Sequence, residues 1–342
     1  MRKIDDLSFD ELKEAIIKIN EPKYKASQIF DWIHKKTVDS FDEMTNVSQK
    51  TMTKLKNEFE FTNAEIVLKL KSKLDETKKY VIRFEDGNIV ESVNLKYKFG
   101  NTACISSQVG CKMGCHFCAS TKNGFIRNLT PAEMLKQIYL MQKDSNEKIS
   151  NVVIMGSGEP LENFDNVVRF LNIINDERGQ NISMRKITLS TSGIVPNIYK
   201  LADMNLPITL AISLHAPSQE KREKIMPIAK KYSLTEIFKA CDYYVKTTGR
   251  RLTFEYIMIN GFNDSREDAE NLSKLLKNKL ANVNLIPCNY VKESNIKPSS
   301  DSDIMKFKKI LTDNGINATL RRELGSDINA ACGQLRNDLL KM

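Results

Sequence analysis

Residues 104 to 118 read CISSQVGCKMGCHFC, and the rest of the chain is understood from this stretch. It holds four of the seven cysteines, and Cys111, Cys115 and Cys118 are spaced C-x3-C-x2-C. Three thiolates this close can face one inorganic centre, and soft sulfur ligands select iron–sulfur clusters or zinc. A structural zinc site wants four ligands and usually closes with a second paired element such as CxxC or HxxxH. The sequence carries no such pair, and His116 would have to turn back on itself to join its neighbours. Three cysteines on an iron–sulfur cluster would leave one iron open to a substrate. Spacing alone leaves both metals open.

At 342 residues the chain has room for one large catalytic domain and a small accessory one. No apolar run approaches the roughly 20 residues that a bilayer requires. The start, MRKIDDLSFDELKE, turns acidic at once and lacks the apolar core of a secretory signal. No membrane partner and a cytoplasmic location are therefore expected. In that reducing compartment clustered cysteines mean metal or redox chemistry rather than a disulfide framework. Lys and Arg total 52 against 43 Asp and Glu, and the net charge of +9 favours a polyanionic partner such as nucleic acid. No oligomerisation signal is visible, so a monomer is expected.

Residues 1–60 read as a small helical unit, opened by an S-x-x-E capping box at Ser8 and Glu11. Trp32 reads as core, and His34 as a structural or surface residue. Over 61–96 the apolar period becomes two around Asp86-Gly87, which predicts a β-hairpin extension. From 97 to 334 strand and helix patterns alternate. Thr130-Pro131-Ala132-Glu133 opens the first helix with an N-cap, an N1 proline and a capping glutamate. About six units can be counted, fewer than a closed barrel of ~250 residues requires. The expected fold is therefore α/β, an open partial (β/α)6 barrel with the helical unit and hairpin in front of it. Residues 335–342 read as a C-terminal tail.

In parallel α/β folds ligands gather at the C-terminal ends of the strands. Met155-Gly156-Ser157-Gly158-Glu159-Pro160 ends one predicted strand, and its glycines would let backbone approach a ligand while Glu159 accepts from an ammonium. Ser190, then Ser213-Leu214-His215, then Asn289 end later strands. Each alone reads as a cap or turn; their recurrence at successive strand ends points to one shared ligand. Cys241 reads as a buried small side chain, and Cys288 carries no assigned role. Cys332 sits in GSDINAACGQL, a small-residue loop that would let a thiol swing between partners. A merely buried cysteine fits that loop equally well.

Taken together, Cys104 ahead of the cysteine triplet, MGSGEPLEN, SLHAP and DINAACGQL resemble the RlmN/Cfr family of radical S-adenosylmethionine (radical SAM) methyltransferases, over essentially the whole chain. The resemblance implies a [4Fe-4S] cluster held by Cys111, Cys115 and Cys118. It also implies SAM bound by Gly158, Glu159, Ser190, Ser213, Leu214, His215 and Asn289. It implies that Cys332 carries a methyl group as S-methylcysteine. Cys104 is then the resolving thiol of a transient disulfide with Cys332, and Glu91 is the proton acceptor. The implied substrate is an adenosine of 23S rRNA. CASTKNGFIRNLT, residues 118–130, is similar to the branch that methylates adenine C2 and often a tRNA adenosine beside the anticodon, rather than the C8 branch. An electron donor such as flavodoxin or ferredoxin is implied as well. Basic stretches at Lys96–Lys98 and Arg321-Arg322 are expected to grip RNA phosphates. A metal-stabilised RNA-binding protein without catalysis is the alternative from a different class.

Overall fold

The computed structural model describes residues 1–289 and 296–335, so the expected tail lies, beyond Leu335, outside the described residues. Caps and apolar spacing build the first unit. After β1 (Arg2–Lys3), α1 (Phe9–Lys18) starts with Ser8 and Glu11 capping each other reciprocally. α2 (Tyr24–His34) and α3 (Gln49–Glu58) follow, and β2 (Phe59–Glu60) returns to pair in parallel with β1. Leu12, Ile16, Phe30, Ile33 and Leu55 form the buried centre of this unit. Trp32 is half-buried, its Nε1 donating to Asn46 under the Lys36 ammonium. His34 is fully buried with Nδ1 2.9 Å from the Tyr139 hydroxyl, a structural position.

Next, β3 (Ala64–Lys71), β4 (Lys78–Phe84) and β5 (Ile89–Tyr97) form an antiparallel meander. Asp86-Gly87 makes the β4–β5 turn, with Gly87 at φ +80° where a side chain would be strained. The meander is more than a hairpin. β5 pairs antiparallel with β6 (Gly100–Ile105), so the extension is hydrogen-bonded directly into the main sheet. A lone two-stranded hairpin is at best marginally stable in water, and this ladder removes that weakness.

Two short strands, β7 (Gln108–Gly110) and β8 (Phe125–Asn128), pair beside the cysteine triplet. The alternating series then runs α4 (Pro131–Ser145), β9 (Ile149–Ile154), α5 (Phe164–Asn175), β10 (Ile187–Thr191), α6 (Val195–Asp203), β11 (Thr209–Ser213), α7 (Gln219–Ile225) and α8 (Leu234–Thr248). It continues through β12 (Leu252–Met258), α9 (Arg266–Leu276), β13 (Ala281–Pro287), α10 (Asp301–Asp313) and β14 (Ala318–Leu320). α4 starts with the Thr130–Glu133 capping box and Pro131, as its sequence predicts. The strand order β6-β9-β10-β11-β12-β13-β14 follows the chain and every pair is parallel. These are six βα crossovers, and among the described residues the sheet runs open from β14 to β3. The open six-unit α/β barrel is the fold that the alternation predicts.

Charges fasten the helical unit to the barrel. Arg169 on α5 donates to both carboxylate oxygens of Glu11 at 2.9 and 2.8 Å, and Ala132 N in the first turn of α4 donates to Asp6 at 2.7 Å. Lys136, almost fully buried on α4, lies 2.6 Å from Asp39 and 3.7 Å from Asp5.

Candidate active site

The loop after β6 carries the cysteine triplet over the C-terminal ends of the parallel strands. Cys111, Cys115 and Cys118 all line one cavity, with an empty volume of about 870 Å³ that is partly open to solvent. Strand ends complete the lining: Gly158 and Glu159 after β9, Ser190 on β10, Ser213 and His215 from β11. Among the described residues no three His, Cys, Asp or Glu side chains converge to hold a single metal ion. Three soft thiol donors on one cavity are the donor set that an iron–sulfur cluster takes.

Gly156 and Gly158 line this cavity, as expected, and they are also packed tightly from behind. A Cβ on Gly158 would lie 2.6 Å from Gln108 Cβ, and one on Gly156 would lie 2.8 Å from the Ile105 carbonyl oxygen. They let the β9 end pack against the start of the cysteine loop. Glu159 is buried with its carboxylate accepting from Thr191 Oγ1 at 2.7 Å and from the backbone of Ser192 at 2.6 Å and Leu161 at 3.0 Å. Burial pushes its pKa up, and these donors oppose the shift.

His215 adopts a left-handed backbone at φ +59°, and its Nδ1 accepts from Ile257 N at 3.1 Å. Burial, helped by the nearby Arg222 charge, lowers its pKa to about 3, so the imidazole is neutral with its proton on Nε2. Leu214 departs from expectation. It is fully buried and outside the cavity lining, and its backbone bonds to Glu255 and Arg222. Asn289 departs too: its side-chain amide donates to the Cys332 carbonyl at 3.0 Å, anchoring that loop instead of lining the cavity of the triplet.

A second, adjoining cavity of about 540 Å³ empty volume brings Cys104 and Cys332 together, with Tyr97, Asn289 and Arg321 in its lining. Both cysteines are free thiols. Cys332 also lines the cavity of the cysteine triplet, so it faces both spaces. Burial, reinforced by the neighbouring Cys332 sulfur, pushes Cys104 up to about 12 and keeps it a neutral thiol near pH 7. The Cys332 loop is held from both sides. Gly333 O accepts from Ala119 N at 2.7 Å and Leu335 O accepts from Ser120 Oγ at 2.9 Å, just past the triplet. From the meander, Ser72 Oγ and Lys73 N donate to Asp327 at 2.7 and 2.8 Å.

Glu91 lies early in β5 and outside both cavity linings, ion-paired with buried Lys79 at 3.1 Å. Strand alternation puts it on the same face as Val93, which is paired with Cys104 across the β5–β6 ladder. Cys241 and Cys288 are buried apart from these cavities.

Comparison with known proteins accords with this geometry. The sequence model of the radical SAM superfamily matches residues 105–275. That of the ribosomal RNA large subunit methyltransferase N-terminal domain matches residues 3–61. A Clostridium novyi protein named "Probable dual-specificity RNA methyltransferase RlmN" is 53% identical over 341 residues, covering 100% of this chain and 99% of its own. The chain belongs to the RlmN family of radical SAM RNA methyltransferases. A Lachnospira eligens RlmN relative is 52% identical, covering 100% of this chain and 97% of its own. The crystal structure of a radical SAM methyltransferase from Sphaerobacter thermophilus superposes with a TM-score of 0.94 at 39% identity, covering 98% of this chain and 100% of that one. The superfamily is one that works with a [4Fe-4S] cluster and SAM. No helix among the described residues is long and apolar enough to cross a membrane.

Set in the RlmN fold, three further residues organise the site. Arg321 is no surface phosphate grip. It lines both cavities, with Nη1 3.9 Å from buried Glu255, and its pKa is raised chiefly by the Cys332 sulfur and then, against the desolvation that burial imposes, by Glu255. Arg222 is fully buried and donates to the carbonyls of Ser192 at 2.7 Å, Leu214 at 3.2 Å and Ser213 at 3.2 Å, tying two strand ends together. Lys79 holds Glu91 and also donates to the Asn329 carbonyl at 3.3 Å. The sequence around Arg222, QEKREKI, looks like an ordinary solvated helix and gives no sign of this.

Proposed function

We propose that the protein methylates C2 of an adenosine in 23S rRNA, and a tRNA adenosine beside the anticodon, through a methyl group carried on Cys332. The observation that carries this reading is the position of Cys332, which faces the cluster cavity on one side and Cys104 on the other. Adenine C2 is electron-poor and offers no lone pair, so displacement from SAM alone does not methylate it. Cys111, Cys115 and Cys118 would hold a [4Fe-4S] cluster, which when bound supplies the one-electron reduction of SAM that such a carbon requires.

The protein's own groups do the rest. Cys332 as thiolate takes a methyl from SAM, forming an S–C bond as the sulfonium S–C bond breaks. Its small-residue loop, anchored by Asn289, presents that methyl to the cavity. The target base leaves its stack to reach it. Glu91 is the proposed acceptor of the C2 proton. With cluster and a second SAM bound, one hydrogen would be removed from the Cys332 methyl, so that its carbon could bond to adenine C2, the second SAM serving as the oxidant. Cys104, once it has given up its proton, attacks the Cys332 sulfur, forming an S–S bond as the S–C bond to the product breaks and the freed carbon takes a proton to become methyl. An external dithiol then reduces the disulfide and restores both cysteines. Residues 1–60 serve as an RNA-binding unit, 61–96 as the β extension and 97–334 as the catalytic core. The enzyme acts in the cytoplasm as a monomer, reduced by a donor such as flavodoxin or ferredoxin.

The test is nucleoside mass spectrometry of protein-free 23S rRNA and tRNA after incubation with anaerobically reconstituted enzyme, SAM and reductant. 2-Methyladenosine from both RNAs is expected. 8-Methyladenosine would move the chain to the C8 branch, and no product from protein that cleaves SAM would overturn the reading.

A further inference from the structure

Beside the two thiols the inner face of the barrel opens into a third cavity, with about 1260 Å³ of empty volume. Barrel interiors are usually filled by Val, Ile and Leu. Here Thr188, Thr209, Thr253, Asn282 and Thr319 line the space, one hydroxyl or amide from each of the five strands β10 to β14. Such a floor suits a hydrogen-bonding ligand in water rather than a packed core. Exposed Arg185, Lys186 and Arg322 ring it with positive charge.

An aromatic pair stands at the same rim. Tyr97 and Phe99 are stacked with ring centroids 4.8 Å apart and planes 8° from parallel. Phe99 is 71% exposed, an apolar surface that the fold leaves in water. Tyr97 lines this cavity and also the one that holds Cys104 and Cys332. The pair therefore spans from the two thiols to solvent, beside three cations.

We propose that Phe99, backed by Tyr97, is a stacking platform for an unpaired base next to the target adenosine, while Arg185, Lys186 and Arg322 hold the phosphates around it. A flipped adenosine beside Cys332 would pass Tyr97, which brings the adjoining nucleotide over Phe99. Every base has a π face, so the platform tolerates either substrate sequence. This inference rests on the RNA reading above.

The test uses the reconstituted enzyme and a stem-loop RNA containing the target adenosine, with and without an abasic site at each flanking position. Phe99→Ala is expected to weaken RNA binding about tenfold or more, by the usual size of base–aromatic stacking, and Phe99→Trp to restore it. The abasic site is expected to weaken wild type but to add nothing to Phe99→Ala. Lys186→Gln is expected to lower the salt dependence of binding by about one unit of slope. SAM cleavage without RNA and thermal stability should stay unchanged in all variants. Wild-type protein that methylates the RNA, with Phe99→Ala binding it equally well, would overturn this inference alone. Wild-type protein that binds no RNA would overturn the RNA reading and this one together. Slower reduction by flavodoxin with RNA binding intact would assign the aromatic pair to the donor protein and overturn it as well.

Discussion

Replacing Asn289 with alanine separates two chemically different roles. As a SAM contact, its loss would weaken SAM itself. The structure instead has Nδ2 donating to the Cys332 carbonyl at 3.0 Å, with Asn289 outside the lining of the triplet cavity. A neutral hydrogen bond of this kind contributes about 1 kcal/mol net, which is roughly a fivefold change in the fraction of docked loop. The tethers at Gly333 and Leu335 remain, at 2.7 and 2.9 Å, so the loop loosens without detaching. Misplacement of the sulfur adds to the loss, and the expected slowing is about five- to tenfold. The assay is single-turnover transfer of a labelled methyl from SAM to Cys332, read in the Cys332 peptide, beside SAM affinity on the same preparation. SAM affinity should change by less than about twofold. An unchanged transfer rate, or SAM binding weakened about tenfold or more (about 1.4 kcal/mol), would refute the anchoring role.

Other changes probe the scaffold. Gly158→Ala puts a Cβ 2.6 Å from Gln108 Cβ at a backbone φ of +109°. Overpacking and backbone strain each cost about 1–3 kcal/mol, so urea denaturation should show a loss of about 2–6 kcal/mol, and an unchanged midpoint would contradict the close packing. Lys136→Met removes the buried cation beside Asp5 and Asp39, and breaking such a pair costs about 3–5 kcal/mol. That loss should deepen with pH. Burial raises the folded-state pKa of Asp5 and Lys136 opposes the rise, so Asp5's contribution is most favourable below its unfolded value and fades as pH climbs through the folded one. Without Lys136 the folded value climbs further, and urea titrations should show a larger deficit at pH 7 than at pH 5. An equal deficit at both would count against the coupling.

Much of this molecule is legible in local sequence because local physics sets it. Ser8–Glu11 and Thr130–Glu133 build their capping boxes within four residues, and Asp86-Gly87 makes its turn regardless of what lies across the sheet. The alternation of strand and helix patterns counts out six crossovers. Depth is what local patterns miss. Arg321-Arg322 reads as a surface pair, yet the first arginine turns inward to Glu255 and Cys332 while the second stays at the rim. Asn289 was expected to meet SAM because it ends a strand, but its partner Cys332 comes from the far end of the chain. Gly156 and Gly158 suggest ligand approach and do line the cavity, and only the packed structure reveals that Ile105 and Gln108 leave no room for a side chain behind them. The β5–β6 ladder was equally hidden, since nothing in either strand names its partner.

The most direct measurement is the mass of the Cys332 and Cys104 peptides from reconstituted enzyme after exposure to SAM, before and after addition of RNA. One added methyl is expected on Cys332 and none on Cys104, and the methyl should disappear as methylated adenosine forms. A Cys332→Ala enzyme that still methylates RNA, or a methyl found on Cys104 instead, would contradict the carrier role of Cys332.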